Sequence, residues 1–328
     1  MKEAIRMNAE KTMSANQEHE CDREYLVNFM KQYLDALVKH YPAAVPFAEE
    51  VKYTENTANI PVGRGLWVTA SSGPAEFQIY AADPEAQQVA CLVMMKENDK
   101  DILLGARLKL EDLKIREAEH HVIRDLASNP MGEMVFENLK EPRPGLLEDV
   151  PPAERMPRWQ LLNIGRSYYD ALQKNDGKLS PFAPESRRHE NGMVTAGGPL
   201  PKIPPDSKID PDMKKLIEAM IAAGPEANTV EGQISTGQFS YITSIRDRRV
   251  LIADQQKGLA VGFSNFFHDS TLKEFEYKSP SGETEMRPSW QGAFNLHAMH
   301  IYKIKNGKIY DIEAIGYSLP YGSKSGWE

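Results

Sequence analysis

Residues Arg23–Asn56 recur at Arg158–Asn191 without a gap, at a constant offset of 135 (158 − 23). Tyr33-Leu34-Asp35-Ala36-Leu37 answers Tyr168-Tyr169-Asp170-Ala171-Leu172, Pro46-Phe47-Ala48 answers Pro181-Phe182-Ala183, and Glu55-Asn56 answers Glu190-Asn191. Of the 34 aligned positions 14 are identical, where composition alone would give about two. A repeat of this kind requires one module folded twice and the two modules packed together. The 328-residue length, beyond the usual size of one core, agrees with two domains.

Two later anchors extend the match. Ala82-Asp83 aligns with Ala253-Asp254 at offset 171, and Lys114-Ile115 with Glu119 aligns with Lys308-Ile309 with Glu313 at offset 194. The growing offset confines the insertions to the second copy. The expected organisation is a flexible segment 1–20, a first domain 21–125, a linker 126–157 with six prolines between Arg124 and Pro157, and a second domain 158–328. The second domain carries insertions near 193–235 and 268–291. In the first insertion, Asp212–Ala223 reads as an amphipathic helix, either a cover over a pocket or a decoration at the interface between copies.

Each copy opens with a helical stripe, at 26, 29, 30, 33, 34 and 37 in the first and at 161, 162, 164, 168, 169 and 172 in the second. A short Pro-Phe-Ala turn of helix and a strand follow: Val51–Asn56, and Ser186–Asn191 in the second copy. Further strands are predicted at Gln88–Lys96, Ile102–Glu111 and Lys114–Val122, and at Gly258–Phe267, Ala293–Lys305 and Lys308–Tyr317. Asn306-Gly307 between two such runs is a hairpin signal. The fold class is therefore α+β: two tandem units, each with helices packed on a curved antiparallel sheet.

The charge balance narrows the partners. A net charge of −8 with no basic stretch argues against nucleic acid. No apolar run approaches a membrane span, and the polar segment Met1–Glu20 lacks the apolar region of a signal peptide, so a cytoplasmic location is expected. Cys21 and Cys91 are too few and too far apart for a disulfide framework or a zinc site.

Several runs carry a family resemblance. Cys21-Asp22-Arg23, Tyr53-Thr54-Glu55-Asn56 and Gly63-Arg64-Gly65-Leu66-Trp67 resemble the first half of a bacterial and fungal family of tandem SnoaL-like domains. Ile245-Arg246-Asp247-Arg248-Arg249 and the ending Pro320–Trp327 resemble its second half. The resemblance implies cone-shaped barrels of the nuclear transport factor 2-like type. That superfamily includes scytalone dehydratase, ketosteroid isomerase, limonene epoxide hydrolase and polyketide cyclases, which work without metals or organic cofactors in an apolar pocket. Many other members only bind or assemble, so the fold does not fix a function.

Strand alternation nominates the side chains that enter such a pocket. Val51, Tyr53 and Glu55 share one face, which makes Glu55 beside Tyr53 either a pocket carboxylate or a turn cap repeated in both copies. In the second copy the same face carries Ser186, Arg188 and Glu190, an internal ion pair or a clamp for an anionic group, with His189 opposite. Leu296, Ala298, His300, Tyr302 and Ile304 form an apolar face broken by His300 and the Tyr302 hydroxyl. An imidazole there is tunable for proton transfer or is bonded in a core, and its aligned residue in copy one is Ala106. His268-Asp269 opens the second insertion as a candidate acid–base pair. Tyr241 joins Arg188, Tyr53 and Glu55 as a candidate for substrate binding, although its segment reads as helix or strand alike. Arg107 shares a face with Gly105 and Lys109, away from the pocket, on the outer surface or at the interface between copies.

No metal site is expected: His297 and His300 face opposite sides of one strand, as do His120 and His121. No glycine-rich phosphate loop or nucleophile elbow is present. The expected function is a cofactor-independent enzyme of the lyase, dehydratase, isomerase or cyclase type. It would act by proton transfer on a small, largely apolar molecule, with His300, His268, Asp269, Glu190 and Tyr302 as catalytic candidates. The competing expectation is a ligand-binding or assembly protein. Either way the copies are expected to form an intramolecular pseudo-dimer, with further homo-oligomers left open.

Overall fold

The computed structural model describes residues 21–128, 132–198, 218, 228–279, 282–289 and 292–328. The expected N-terminal segment 1–20 and nearly all of the helix expected at 212–223 fall outside them.

The first half opens with α1 (Arg23–Val38). Asp22 caps it by accepting from Tyr25 N–H at 2.7 Å, which meets one of the amide groups a helix start leaves unpaired. The predicted stripe from Leu26 to Leu37 is its buried face. Then follow β1 (Phe47–Glu55), β2 (Ala58–Asn59), α2 (Leu66–Thr69), β3 (Ala70–Ser72), β4 (Gln78–Asp83), β5 (Gln88–Glu97), β6 (Lys100–Glu111) and β7 (Lys114–Ile123). Two short helices, α3 (Gly132–Asn138) and α4 (Pro144–Leu147), lead to α5 (Arg158–Lys174), which ends at Asn175 in the left-handed conformation. The second half continues with β8 (Phe182–Glu190), β9 (Met193–Ala196), α6 (Val230–Ser235), β10 (Ser244–Asp254), β11 (Leu259–His268), β12 (Glu274–Lys278), β13 (Thr284–Pro288), β14 (Phe294–Lys305) and β15 (Lys308–Pro320).

The fold is α+β, as expected, with one refinement. The first sheet runs β2-β1-β7-β6-β5, with β3 and β4 both on β5; the second runs β9-β8-β15-β14-β11-β10. In each, the strand after the long helix pairs in parallel with the last strand, β1 with β7 and β8 with β15. The sheets are therefore mixed, because a crossover returns the chain to the edge it left. Pro46-Phe47-Ala48 and Pro181-Phe182-Ala183 enter these strands instead of forming a helical turn. The Pro46 and Pro181 carbonyls accept from Ile115 and Ile309, so both segments are already part of the ladder. The helical turn lies just before, at Pro42–Ala44 and Gly177–Leu179.

Three apolar cores result. Val89, Cys91, Val93 and Met95 of β5 pack toward α1, while Ala90, Leu92 and Met94 between them pack toward the other half. On β11 and β14, Ala260, Ala298 and Tyr302 face α5, and Val261, Phe263, Met299 and Ile301 face the first sheet. The layers are thus helix, sheet, sheet, helix, and strands covered on both faces read as unbroken apolar runs.

The contacts between the halves are reciprocal. Arg23 Nε donates to Asp254 at 2.8 Å, and Arg158 Nε to Asp83 at 2.8 Å. Ala82 N–H donates to Asp254 at 3.1 Å, and Ala253 N–H to Asp83 at 2.9 Å. Each partner is the aligned residue of the other, the pattern of a two-fold interface. Asn56 and Asn191, at φ 46° and 49°, are likewise equivalent. Asn56 exchanges two side-chain hydrogen bonds with the Val122 backbone, and Asn191 does so with Gly316. This is the turn role open at Glu55-Asn56, and the asparagines perform it.

Candidate functional site

The first-half interior holds a chain of polar groups along α1, β1 and β7. Tyr33 Oη lies 2.9 Å from His120 Nε2, and Tyr53 Oη lies 3.2 Å from His120 Nδ1. Tyr53 also donates to Glu55 at 3.4 Å. Glu55 accepts from Leu66 N–H at 2.8 Å and from Arg124 at 2.7 Å, and Arg124 reaches Glu97 at 2.6 Å. Burial lowers His120 to about 4, so its ring is neutral, one nitrogen donating and one accepting. Burial raises both tyrosines. A Cβ on Gly65 would fall 2.3 Å from a Glu55 oxygen, so the carboxylate sits tight beneath α2. Glu55 and Tyr53 do lie side by side as alternation predicted, but His120, not a ligand, takes the tyrosine.

The second-half interior is arranged differently. His300 is buried with Nδ1 3.3 Å from Tyr169 Oη. Rings of Tyr168, Tyr169, Tyr302 and Phe266 surround it at 5.4–5.9 Å between centroids, with Tyr302 stacked nearly parallel. Burial lowers His300 to about 3, assisted by the charge of Arg188. Burial pushes Tyr169 up to about 12, with Tyr302 and Ser264 beside its hydroxyl pulling the other way. Neither of those two is in hydrogen-bonding geometry. The Tyr302, Ser264 and Ser186 hydroxyls are all buried without a hydrogen-bond partner among the described residues.

Arg188 faces inward, as alternation implied, but its donors are committed. Its Nε lies 2.8 Å from Glu190 and 2.9 Å from Thr195, Nη1 lies 3.5 Å from Tyr168, and Nη2 donates to Gln233, which α6 of the first insertion delivers. Glu190 is half exposed. His189 points the opposite way, 3.5 Å from Glu313, and burial lowers it to about 3.

The remaining candidates do not converge on His300. On the β11–β14 ladder His268 pairs with Phe294, six positions from His300, a separation of about 20 Å at the usual strand rise. His268 Nδ1 lies 2.7 Å from the Tyr241 carbonyl, and the Tyr241 ring packs on it. Asp269 is exposed and accepts from Thr271. His268 and Asp269 therefore stand at the base of the inserted β12–β13 hairpin, with Tyr241 beside His268.

A third cluster, missed by within-strand spacing, lies between the sheets. Glu119 is clamped by Arg249, at 3.1 and 2.6 Å, and by Arg107 at 3.0 Å, with His121 Nε2 at 3.3 Å. His297 from the other half stacks on His121 at 4.7 Å and 17°. Glu119, His121 and His297 each offer a ligand atom within 4.8 Å of the others. Arg249, His121 and Arg107 keep Glu119 ionised against its burial, and burial keeps His297 neutral. Arg107 thus serves the interface between the halves. The signal available in the sequence was the pair His120-His121, which on a strand must send one ring to each side of its sheet.

Outside both interiors, the C-terminal tail packs on β1. Trp327 Nε1 donates to Thr54 at 3.0 Å, and Lys52, Arg107 and Arg249 lie over its ring. Beside it runs a groove of about 940 Å³ whose lining includes Tyr53, Lys52, Arg116, Glu117 and Lys324. Among the described residues no helix is long and apolar enough to cross a membrane.

A family described as a domain of unknown function (DUF8021) matches residues 154–316. No curated protein matches. Solved structures similar to about half of this chain include a candidate polyketide cyclase from Silicibacter sp., 10% identical over 50% of this chain and 92% of that one, TM-score 0.26. Another is a candidate SnoaL-like polyketide cyclase from Jannaschia sp., 12% identical over 52% and 90%, TM-score 0.25. A third is a phenazine biosynthesis-related protein from Pseudomonas aeruginosa, 12% identical over 49% and 80%, TM-score 0.24.

Proposed function

We propose that the protein is a duplicated nuclear transport factor 2-like module whose second half performs cofactor-independent acid–base chemistry on a small, largely apolar organic molecule. The reaction type that fits is lyase, isomerase or cyclase. One observation carries this reading: a neutral imidazole, His300, sits hydrogen-bonded to Tyr169 in an aromatic interior where the Tyr302 and Ser264 hydroxyls have unspent hydrogen-bonding capacity. Buried polar groups are normally paired, so leftover hydroxyls around a proton-transfer group fit a substrate's polar atoms. His300 then exchanges the proton, Tyr169 orients it, Tyr302 and Ser264 bind the substrate's oxygens, and Arg188 supplies positive charge nearby. The first half and the reciprocal interface hold this half in shape.

A thermal-shift screen of small carbonyl and polyketide-like compounds tests the reading, because a ligand of the folded state raises its melting temperature. The expected result is stabilisation that His300→Ala abolishes, with turnover of the hit lowered by about 100-fold or more. Unchanged turnover in His300→Ala would overturn it.

A second reading, a non-catalytic scaffold, is favoured by the packing of four aromatic rings around His300. It expects no hit in the screen.

A further inference from the structure

We propose that Glu119, His121 and His297 bind a divalent transition-metal ion, zinc foremost, between the two halves. The site is separate from the His300 interior: His297 and His300 lie on opposite faces of β14, and His121 and His120 on opposite faces of β7. Two imidazoles and one carboxylate form a donor set that suits zinc and its neighbours in the first transition row. All three side chains are about 1% exposed, and no donor comes from a loose surface segment.

Three observations support a ligand here over simple packing. The donor atoms already lie within 4.8 Å of one another. A tetrahedral ion with bonds near 2.0–2.1 Å needs about 3.4 Å between donors, so closure takes a movement of about an ångström. Unpaired buried polar atoms also gather at this spot: His121 Nδ1, His297 Nδ1, Arg249 Nε and the Tyr317 hydroxyl, whose ring packs at 5.8 Å against both histidines. Finally, Arg107 and Arg249 bond the Glu119 oxygens and fix the orientation of the carboxylate, as outer groups do around bound metals.

Those two guanidiniums also set the terms of binding. Glu117 balances Arg107 at 2.7 Å, and Glu119 balances Arg249. The cluster is therefore near neutral without an ion, and a dication adds charge to a buried place. Three protein ligands leave a fourth position, and an anion such as hydroxide or a small carboxylate there lowers the cost. Affinity should therefore rise with pH and with added carboxylate.

The test uses the full chain, stripped with chelator and titrated with Co²⁺, then with Zn²⁺ in competition. The expected result is one ion per chain, a visible Co²⁺ spectrum of a low-coordinate nitrogen–oxygen site, and its displacement by Zn²⁺. His297→Ala and Glu119→Gln should each weaken binding by about 100-fold or more, while His300→Ala should bind as the parent does. Circular dichroism melts establish that each variant is folded, and His121→Asn replaces any that is not. Absence of the Co²⁺ spectrum, or binding unchanged in the folded His297 and Glu119 variants, would overturn the proposal.

Discussion

In the first half, Tyr33 and Tyr53 take both nitrogens of His120, and Glu55 takes Tyr53, Leu66 and Arg124. In the second, Tyr169 takes one nitrogen of His300, while Tyr302, Ser264 and Ser186 keep theirs unspent. The elements are the same, and so is the leading tyrosine, Tyr33 or Tyr168. The swaps are His120 for Ala314, Tyr53 for Arg188, Ala106 for His300, and the apolar Leu34, Leu108, Val93 and Val51 for Tyr169, Tyr302, Ser264 and Ser186. They move the imidazole from the last strand to its neighbour, β14, and convert a closed hydrogen-bond chain into an open one. A closed chain stabilises its fold; an open one leaves groups to meet a ligand.

Stability measurements can break this contrast. The largest effect is expected from His120→Ala, which strands the buried Tyr33 hydroxyl, removes one of two partners of Tyr53 and should cost about 3 kcal/mol or more in urea unfolding. His300→Ala strands only Tyr169 and should cost clearly less; equal losses would remove the distinction. Next come Asp83→Ala and Asp254→Ala, each about 2 kcal/mol, since each breaks an ion pair and a backbone hydrogen bond of the reciprocal interface. A large difference between the two would mean that the interface is not symmetric in energy.

Smaller and more telling is a pair of hydroxyl deletions. Tyr53→Phe should destabilise by about 1 kcal/mol, because it leaves His120 Nδ1 unpaired. Tyr302→Phe should be neutral or stabilising by a similar amount, because it removes a hydroxyl with no partner. A loss at Tyr302 equal to that at Tyr53 would show that Tyr302 is already satisfied.

The last test is pH. Burial lowers His120 to about 4 and His189 and His300 to about 3, from 6.5. Below 6.5 the unfolded chain binds protons that the folded chain refuses, so stability falls as pH drops from 6.5 toward 3. Glu313, raised by burial to about 7 despite Arg143, runs the other way from 4.5 to 7 and partly offsets the histidines there. Thermal melts across the window should show a shallow decline above pH 4.5 and a steeper one below it. His300→Ala should flatten the slope, and His120→Ala should do so from its own lower base.

The internal repeat, the helical stripes, four strands of each half and the offsets 135, 171 and 194 were legible in the sequence. Periodicity and alignment are local properties, and the matched strand ends Asp83 and Asp254 obey them to the residue. Alternation also assigned sides within a strand: Arg107 away from the pocket, Arg188 and His300 inward. Tertiary structure alone decided what each side meets. That Tyr33 closes on His120, that Gln233 from an insertion engages Arg188, and that His121 stacks on His297 depends on how two sheets and two helices pack. A period of two residues says which way a side chain points, not which distant strand comes to face it.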